Sequence, residues 1–401
     1  MPDYSWITHL DRSERGLRAN LSNAVGVLQH DAAYGPNILW RDEFLDRIMT
    51  CPEGYGPREW GDADTYHLTT HIQQIIGIPA MTTIEVKKAV HYVASQRVKH
   101  IVRDQLLALE WDEVPRDELA LEDHWGVNAG DALPNGQAMP GDYVRAVSGN
   151  LWKGLVARVL FPGCQLDTMV VFEGGQGIGK TSALRILGGA YYAQAHESVT
   201  HKDFFEGLQG KWVIEIGELD AFNRAEVSRV KTVISTPSDR YRASYGHYAA
   251  DHPRQCIFAG TTNHDGWGAD DSGLRRFWPI RCGEINLETL AEARDQLLAE
   301  AVHRVQAGES WWTTPSVPTL AVQADRQADD AWTDLVFTGI GLDREITVAE
   351  VLIRILKFDP SHISRIDEFR VGRILRLAGW TKKNIMRQGK QGKRWVAPDD
   401  R

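Results

Sequence analysis

"VVFEGGQGIGKTSALRILGG", Val170–Gly189, sets four glycines and a lysine between an apolar run and a helical pattern. Gly174-x-x-x-x-Gly179-Lys180-Thr181 matches the phosphate-loop pattern without a gap. Its glycines let successive backbone N–H groups turn inward around phosphate oxygens, and the helix that follows adds the positive end of its dipole. Gly174, Gly175, Gln176, Gly177, Ile178, Gly179 and Ser182 are the expected cradle of a nucleoside triphosphate. Lys180 would reach the β- and γ-phosphates, and Thr181 would hold Mg²⁺ through its hydroxyl. A dinucleotide site is the competing reading of Gly-x-Gly, but Gly-Lys-Thr argues against it.

Outward from the loop, short apolar runs alternate with helical patterns. Met169–Phe172, Trp212–Ile216, Cys256–Ala259 and Phe277–Ile280 are too short for helices and do not alternate, as expected of strands buried on both faces of a parallel sheet. "KWVIEIGELDAF" brings Glu215, Glu218 and Asp220 to the end of one such strand. One acid is expected to hold Mg²⁺, partly through water, and another to orient or deprotonate the attacking water. Thr181, Glu215 and Glu218 form the expected metal set, with Glu218 favoured as catalytic because it falls where the strand leaves the sheet. "CIFAGTTN" ends a second strand in Asn263, an amide placed to position the lytic water. "DDSGLRRFWPI" puts Arg275 and Arg276 just before a third, where at least one is expected to act as an arginine finger on a neighbouring subunit's phosphate.

Composition narrows the setting. The chain has 401 residues and a net charge of −9, so any contact with nucleic acid must use local basic patches. Cys51, Cys164, Cys256 and Cys282 form no CxxC or Cys/His cluster, which argues against zinc and a disulfide framework and suits a reducing cytosol. The N-terminus is polar and no apolar run has the length of a membrane span, so a cytoplasmic protein without a membrane partner is expected. Gly126–Asp142 and Thr313–Pro318 are rich in Gly or Pro and suggest boundaries. The expected organisation is a helical N-terminal domain (1–125), a linker (126–145), a phosphate-loop α/β domain (146–312), a second linker (313–335) and a basic C-terminal domain (336–401). Thr82-x-x-Glu85 reads as a capping box ahead of Val86, Ala89, Val90 and Val93 on one helix face. His91 and His100 read as ordinary surface or boundary residues of these helices.

The C-terminal segment is the clearest charge anomaly. From Arg370 to Trp395 there are nine Lys/Arg and no acid: Arg370, Arg373, Arg376, Lys382, Lys383, Arg387, Lys390, Lys393 and Arg394. Thr347-x-x-Glu350 caps one helix, a second ends near Gly379, and "TKKNIMRQGKQGKRWV" reads as two strands around a turn. A winged-helix-like module binding DNA, duplex included, is the natural reading, with salt-sensitive affinity.

The order GGQGIGKT, EIGELDAF, DRYRASYGHY, RQC-x-F-x-GTTN and SGLRRFWP resembles the virulence-associated protein E family, as do "WDEVPRDE" (Trp111–Glu118) and "LVARVLFPGCQLDTMVVFEG" (Leu155–Gly174). These are phosphate-loop proteins of phages and mobile islands, related to the superfamily 3 helicases within the AAA+ class. The resemblance implies an ATPase with an AAA+-like core, assembled as a homo-oligomeric ring, a hexamer, that works on DNA in a bacterial host during replication of a mobile element. Lys180 and Thr181 match the loop pair, Asn263 the sensor residue, and Arg275 or Arg276 the finger. Superfamily 3 strands often end in two adjacent acids, whereas Ile216-Gly217 separates Glu215 from Glu218 here, so their roles stay open. Related rings carry a hairpin pointing into the channel. Tyr245-Gly246-His247-Tyr248 would be its tip, flanked by Lys231, Arg240 and Arg242, with arginines for phosphates and aromatics for single-stranded bases. An ATP-dependent helicase or translocase is the leading expectation. A nucleotide-gated DNA-binding regulator without unwinding is the alternative, and a small-molecule kinase fits worse because no basic tail would be needed.

Overall fold

Before the glycine-rich loop at Gly174–Gly179 the chain builds more than helices. α1 (Leu21–His30), α2 (Asp62–His71) and α3 (Thr83–Gln96) accompany β1 (Leu39–Asp42), β2 (Arg47–Thr50), β3 (Arg58–Glu59) and β4 (Val98–Lys99), which form one sheet in the order β3-β2-β1-β4. The helical expectation for 1–125 missed this sheet because its strands are two to four residues long, too short to show alternation. α3 forms where expected, but with one arm of its capping box: the Glu85 carboxylate accepts from Lys88 Nζ at 2.8 Å. Thr82 Oγ1 accepts the Glu85 N–H at 3.3 Å, and Val86, Ala89, Val90 and Val93 are at most 2% exposed. His91 is exposed, and His100 Nδ1 accepts the Arg103 N–H as a helix cap.

The computed structural model describes residues 4–35, 37–131, 138–195, 202–218, 224–241, 249–263, 274–325, 332–341, 343–387 and 390–398. The chain divides into two units, Met1–Arg326 and Gln327–Arg401.

The centre of the first unit is a mixed α/β layering around five parallel strands. These are β5 (Met169–Glu173), β6 (Tyr192–Gln194), β7 (Val213–Ile216), β10 (Ile257–Thr262) and β11 (Phe277–Arg281), in the order β11-β5-β10-β7-β6; β8 (Ser238–Tyr241) and β9 (Ala250–Pro253) pair separately. Val170 and Phe172 of β5 pack with α4 (Gly141–Leu160), α5 (Lys180–Gly188) and α7 (Leu287–Gln306). Met169 and Val171 point the other way, into a cluster holding Val230, Val233 and Ile234 of α6 (Arg224–Ser235). Apolar side chains on both faces explain the unbroken hydrophobic runs.

Neither Gly/Pro-rich stretch is a simple connection. Val127 and Met139 are 2% exposed, and a Cβ on Gly126 would lie 2.7 Å from the Glu284 carbonyl oxygen. The first residue of that stretch is packed against the β11–α7 turn, where Gly283 N donates to Trp125 O at 3.1 Å. The 313–335 segment contains α8 (Ser316–Asp325), part of the first unit, whose Gln323 Nε2 donates to Phe277 O at 2.8 Å. Prolines read as breakers here start a helix, since the first turn needs no N–H from them.

The "WDEVPRDE" segment is pinned to α7 by charge. Glu300, fully buried, accepts the N–H groups of Arg116 and Asp117 at 2.7 and 2.9 Å, and Arg304 Nη1 lies 3.0 Å from Asp117 Oδ1. Burial first, then the Glu300 carboxylate, hold Asp117 well above the usual carboxylate range, against the pull of Arg304 and Lys153. The folded state therefore keeps a proton that the unfolded state releases near pH 4. The contribution of Asp117 to stability is greatest below that point and falls as pH rises toward the raised value, by about 1.4 kcal/mol per pH unit while one proton separates the states. Thermal melts from pH 5 to 8 should show a steeper loss for the wild type than for Asp117→Asn, and equal slopes would refute the proton assignment.

In the second unit α9 (Thr333–Ile340), helical turns over Val348–Glu350 and Val351–Ile355, and α10 (Arg365–Leu377) pack with a sheet ordered β12-β14-β13, from β12 (Glu345–Ile346), β13 (Thr381–Arg387) and β14 (Lys390–Val396). Thr347 and Glu350 make the expected capping box, and Val351, Val371, Leu375 and Trp380 centre the core. No helix among the described residues is long and apolar enough to cross a membrane.

Candidate functional site

The loop after β5 opens at the carboxyl edge of the parallel sheet, where such sheets bind ligands. Gly174 has φ +143°, and a Cβ there would lie 2.7 Å from Ile178 Cδ1 and 2.9 Å from the Cys282 carbonyl oxygen, so only glycine fits. Gly179, at φ +101°, turns the chain into α5, which begins at Lys180. The resulting cleft holds about 310 Å³ and is lined by Gln176, Gly177, Gly179, Lys180, Thr181 and Ser182 of the loop, with Glu215, Glu218 and Asn263 across from it.

Lys180 is buried, and its ammonium donates to the carbonyl oxygens of Gly174 and Gly175, the latter at 2.9 Å, and to Asn263 Oδ1 at 3.2 Å. The loop lysine and the polar end of β10 thus meet directly, because β10 pairs with β5. Glu215, 1% exposed, lies on β7 on the far side of β10. Its Oε1 accepts from Thr181 Oγ1 at 2.8 Å and Thr261 Oγ1 at 2.7 Å, and its Oε2 accepts from the Tyr192 hydroxyl. A hydroxyl and a buried carboxylate already in contact are a donor set that fits a hard divalent cation such as Mg²⁺. Glu218 sits differently: it is exposed on the cleft with φ +53°, a left-handed conformation uncommon for a residue with a Cβ. The two acids are therefore distinct in kind, one sunk in the sheet and one held at its mouth. Asp220 lies outside the described residues.

The arginine pair is not in this cleft. Arg275 and Arg276 precede Phe277, which is level with Met169 at the amino end of β5, whereas Arg281 is level with Glu173 beside the loop. Five residues at about 3.3 Å each put the pair roughly 17 Å away, on the opposite edge of the sheet. Arg276 is half-buried and its Nε donates to Ser235 Oγ at 2.7 Å, while Arg275 is exposed.

The expected basic surfaces are mixed. β8 and β9 form an antiparallel pair whose tip, with Arg242 and His247, lies outside the described residues. Within the pair Arg240 is exposed but faces Asp251 at 3.0 Å. Lys231 is only 6% exposed, with its ammonium 6.0 Å from the centre of the Phe277 ring, so it does not present its charge as expected: α6 turns it toward the sheet. In the second unit Lys382, Lys383 and Lys393 are exposed. Arg394 instead pairs inward with Glu350 at 2.8 Å, and Arg370 stacks on Trp332 at 3.8 Å. Arg373 and Arg376 lie on α10, Arg387 on β13 and Lys390 on β14.

A family model for the virulence-associated protein E-like domain matches residues 106–330, a span that holds the glycine-rich loop, both acids, Asn263 and the arginine pair. The chain belongs to that family. The virulence-associated protein E-like domain starts just before the Asp117–Glu300 anchor and ends beyond α8. Among solved structures, the chain aligns with the apo structure of the NrS-1 C-terminal region (305–718) at 13% identity and TM-score 0.48, over 90% of this chain and 95% of that one. An A-form apo structure of the same region aligns at 13% identity and TM-score 0.48, over 90% and 96%. No curated protein matches.

Five residues of the site were not anticipated. Tyr192 and Gln194 come from the three-residue edge strand β6, Gly217 from just past β7, and Thr261 and Thr262 from the "GTTN" strand end. Only the two threonines left a trace, as polar residues ending an apolar run.

Proposed function

We propose that this chain is an ATPase of a phage or mobile element that acts on DNA during replication, a helicase or translocase working as a homo-oligomeric ring. The observation that carries the reading is the meeting of Lys180, Thr181, Glu215 and Asn263 at the carboxyl ends of adjacent parallel strands. Family membership supports the mobile-element setting and the bacterial cytoplasm that goes with it. The sheet order and the arginine pair on its far edge support an AAA+-like core, because such an arginine could serve only a neighbour's site.

In this reading ATP draws the Lys180 ammonium from the loop carbonyls to its β- and γ-phosphates. Thr181 and Glu215 would hold Mg²⁺, which would neutralise phosphate charge. Glu218 takes the proton of the attacking water as that oxygen bonds to the γ-phosphorus and the bond to ADP breaks, while Asn263 orients the water. α10 and the β13–β14 hairpin form the winged-helix-like module, with Lys382, Lys383 and Lys393 available to phosphates.

Steady-state hydrolysis with and without single-stranded DNA tests this. DNA should stimulate the wild type, and Lys180→Ala should lose at least about a hundredfold. The ATP-gated regulator is the second reading, favoured by Lys231 on α6 and Arg240 on β8 being engaged within the chain. Hydrolysis indifferent to DNA, with no strand separation on a forked duplex, would shift the conclusion to it.

A further inference from the structure

Both oxygens of the Glu215 carboxylate are held by hydroxyls from three different elements: Thr181 on α5, Thr261 on β10 and Tyr192 on β6. Only Thr181 belongs to the phosphate loop. The Thr181 hydroxyl has two lone pairs beside its O–H, so it can hold a cation while still donating to Glu215. Thr261 and Tyr192 are not expected metal ligands, and they reach Glu215 from elements outside that loop. From these contacts we infer that Tyr192 and Thr261 are positioning residues that fix the Glu215 carboxylate for its divalent cation. The inference rests on the nucleotide reading above and names residues that the phosphate-loop pattern does not include.

The geometry suits the task. Oε1 accepts from Thr261 and Oε2 from Tyr192, so the plane of the carboxylate is set from both sides before a metal arrives. A carboxylate has about four acceptor positions; the three hydroxyls take three, and one remains, on Oε2, for metal or its water. Tyr192 is itself braced. Its β6 neighbour Gln194 is in register with Glu215, and the Arg185 guanidinium lies 5.5 Å from the centre of its ring.

Outer partners of metal ligands typically carry 10–100-fold in metal affinity. The test is Mn²⁺ binding followed by electron paramagnetic resonance in the presence of ADP, for the wild type, Tyr192→Phe, Thr261→Val and Thr261→Ser. Affinity for a fluorescent ADP analogue in EDTA is measured alongside. Tyr192→Phe and Thr261→Val should each weaken Mn²⁺ about 10–100-fold, Thr261→Ser should restore it, and metal-free nucleotide affinity should not move. Unchanged Mn²⁺ affinity in both variants, with normal nucleotide binding, overturns the inference alone. A wild type that binds no ADP analogue overturns the nucleotide reading and this inference together. Thr261→Val keeps the shape of the side chain, so it decides the matter if Tyr192→Phe does not fold.

Discussion

Replacing Glu218 with glutamine is expected to slow ATP hydrolysis by about 10²–10⁴ and leave nucleotide binding intact. The argument is one of position. Glu215 is buried and committed to three hydroxyls, so it has no freedom to take a proton from water. Glu218 is exposed on the same cleft, one glycine beyond the end of β7. Its φ of +53° is a conformation a glutamate adopts at a cost of about 1 kcal/mol or more. Strain of that kind persists where the surroundings over-determine it, and here it aims the carboxylate at the cleft.

The strain makes the prediction two-sided. Asparagine tolerates the left-handed region better than longer side chains do. Glu218→Asn should therefore be as inactive as Glu218→Gln yet more stable by about 0.5–1 kcal/mol, read from urea midpoints. Single-turnover hydrolysis and equilibrium binding of an ATP analogue separate the functional half. A Glu218→Gln enzyme that keeps more than a tenth of the wild-type rate would remove Glu218 from the proton-transfer role.

The legible parts of this chain were those in which local pattern and tertiary demand coincide. Four of the five central strands could be read because strands buried on both faces must be continuously apolar. Their neighbour β6, "YAQ", could not: it is an edge strand of three residues, half polar, with no period to detect. Tyr192 was invisible for the same reason. The separation of Glu215 from Glu218 left their roles open in the sequence, and a single conformational fact distinguishes them: one lies within the strand and the other past its end. Charge was the least reliable guide. Lys231 and Arg394 read as surface cations, yet one sits over a Phe ring and the other on a carboxylate, because a long side chain's direction depends on packing that spacing does not encode.

Arg275→Ala is the second variant with a large expected effect, a loss of about 10³–10⁵ in hydrolysis with nucleotide affinity nearly unchanged. Arg275 and Lys180 flank opposite ends of the same sheet, so no rearrangement of a single subunit short of unfolding β11 brings them together. A contribution to catalysis must come from a second copy. Arg276 makes the control. Its Nε already donates to Ser235 at the end of α6, so Arg276→Ala should cost about 1 kcal/mol of stability and far less in rate. The decisive measurement mixes two inactive proteins. Arg275→Ala retains Lys180, and Lys180→Ala retains Arg275, so a mixed oligomer contains sites where one supplies the loop and the other the arginine. Hydrolysis that reappears on mixing, and rises with total concentration as oligomers form, is the expected result. Silence on mixing, or an Arg275→Ala protein as active as the wild type, would mean that the exposed arginine has another purpose and that the site is complete within one chain.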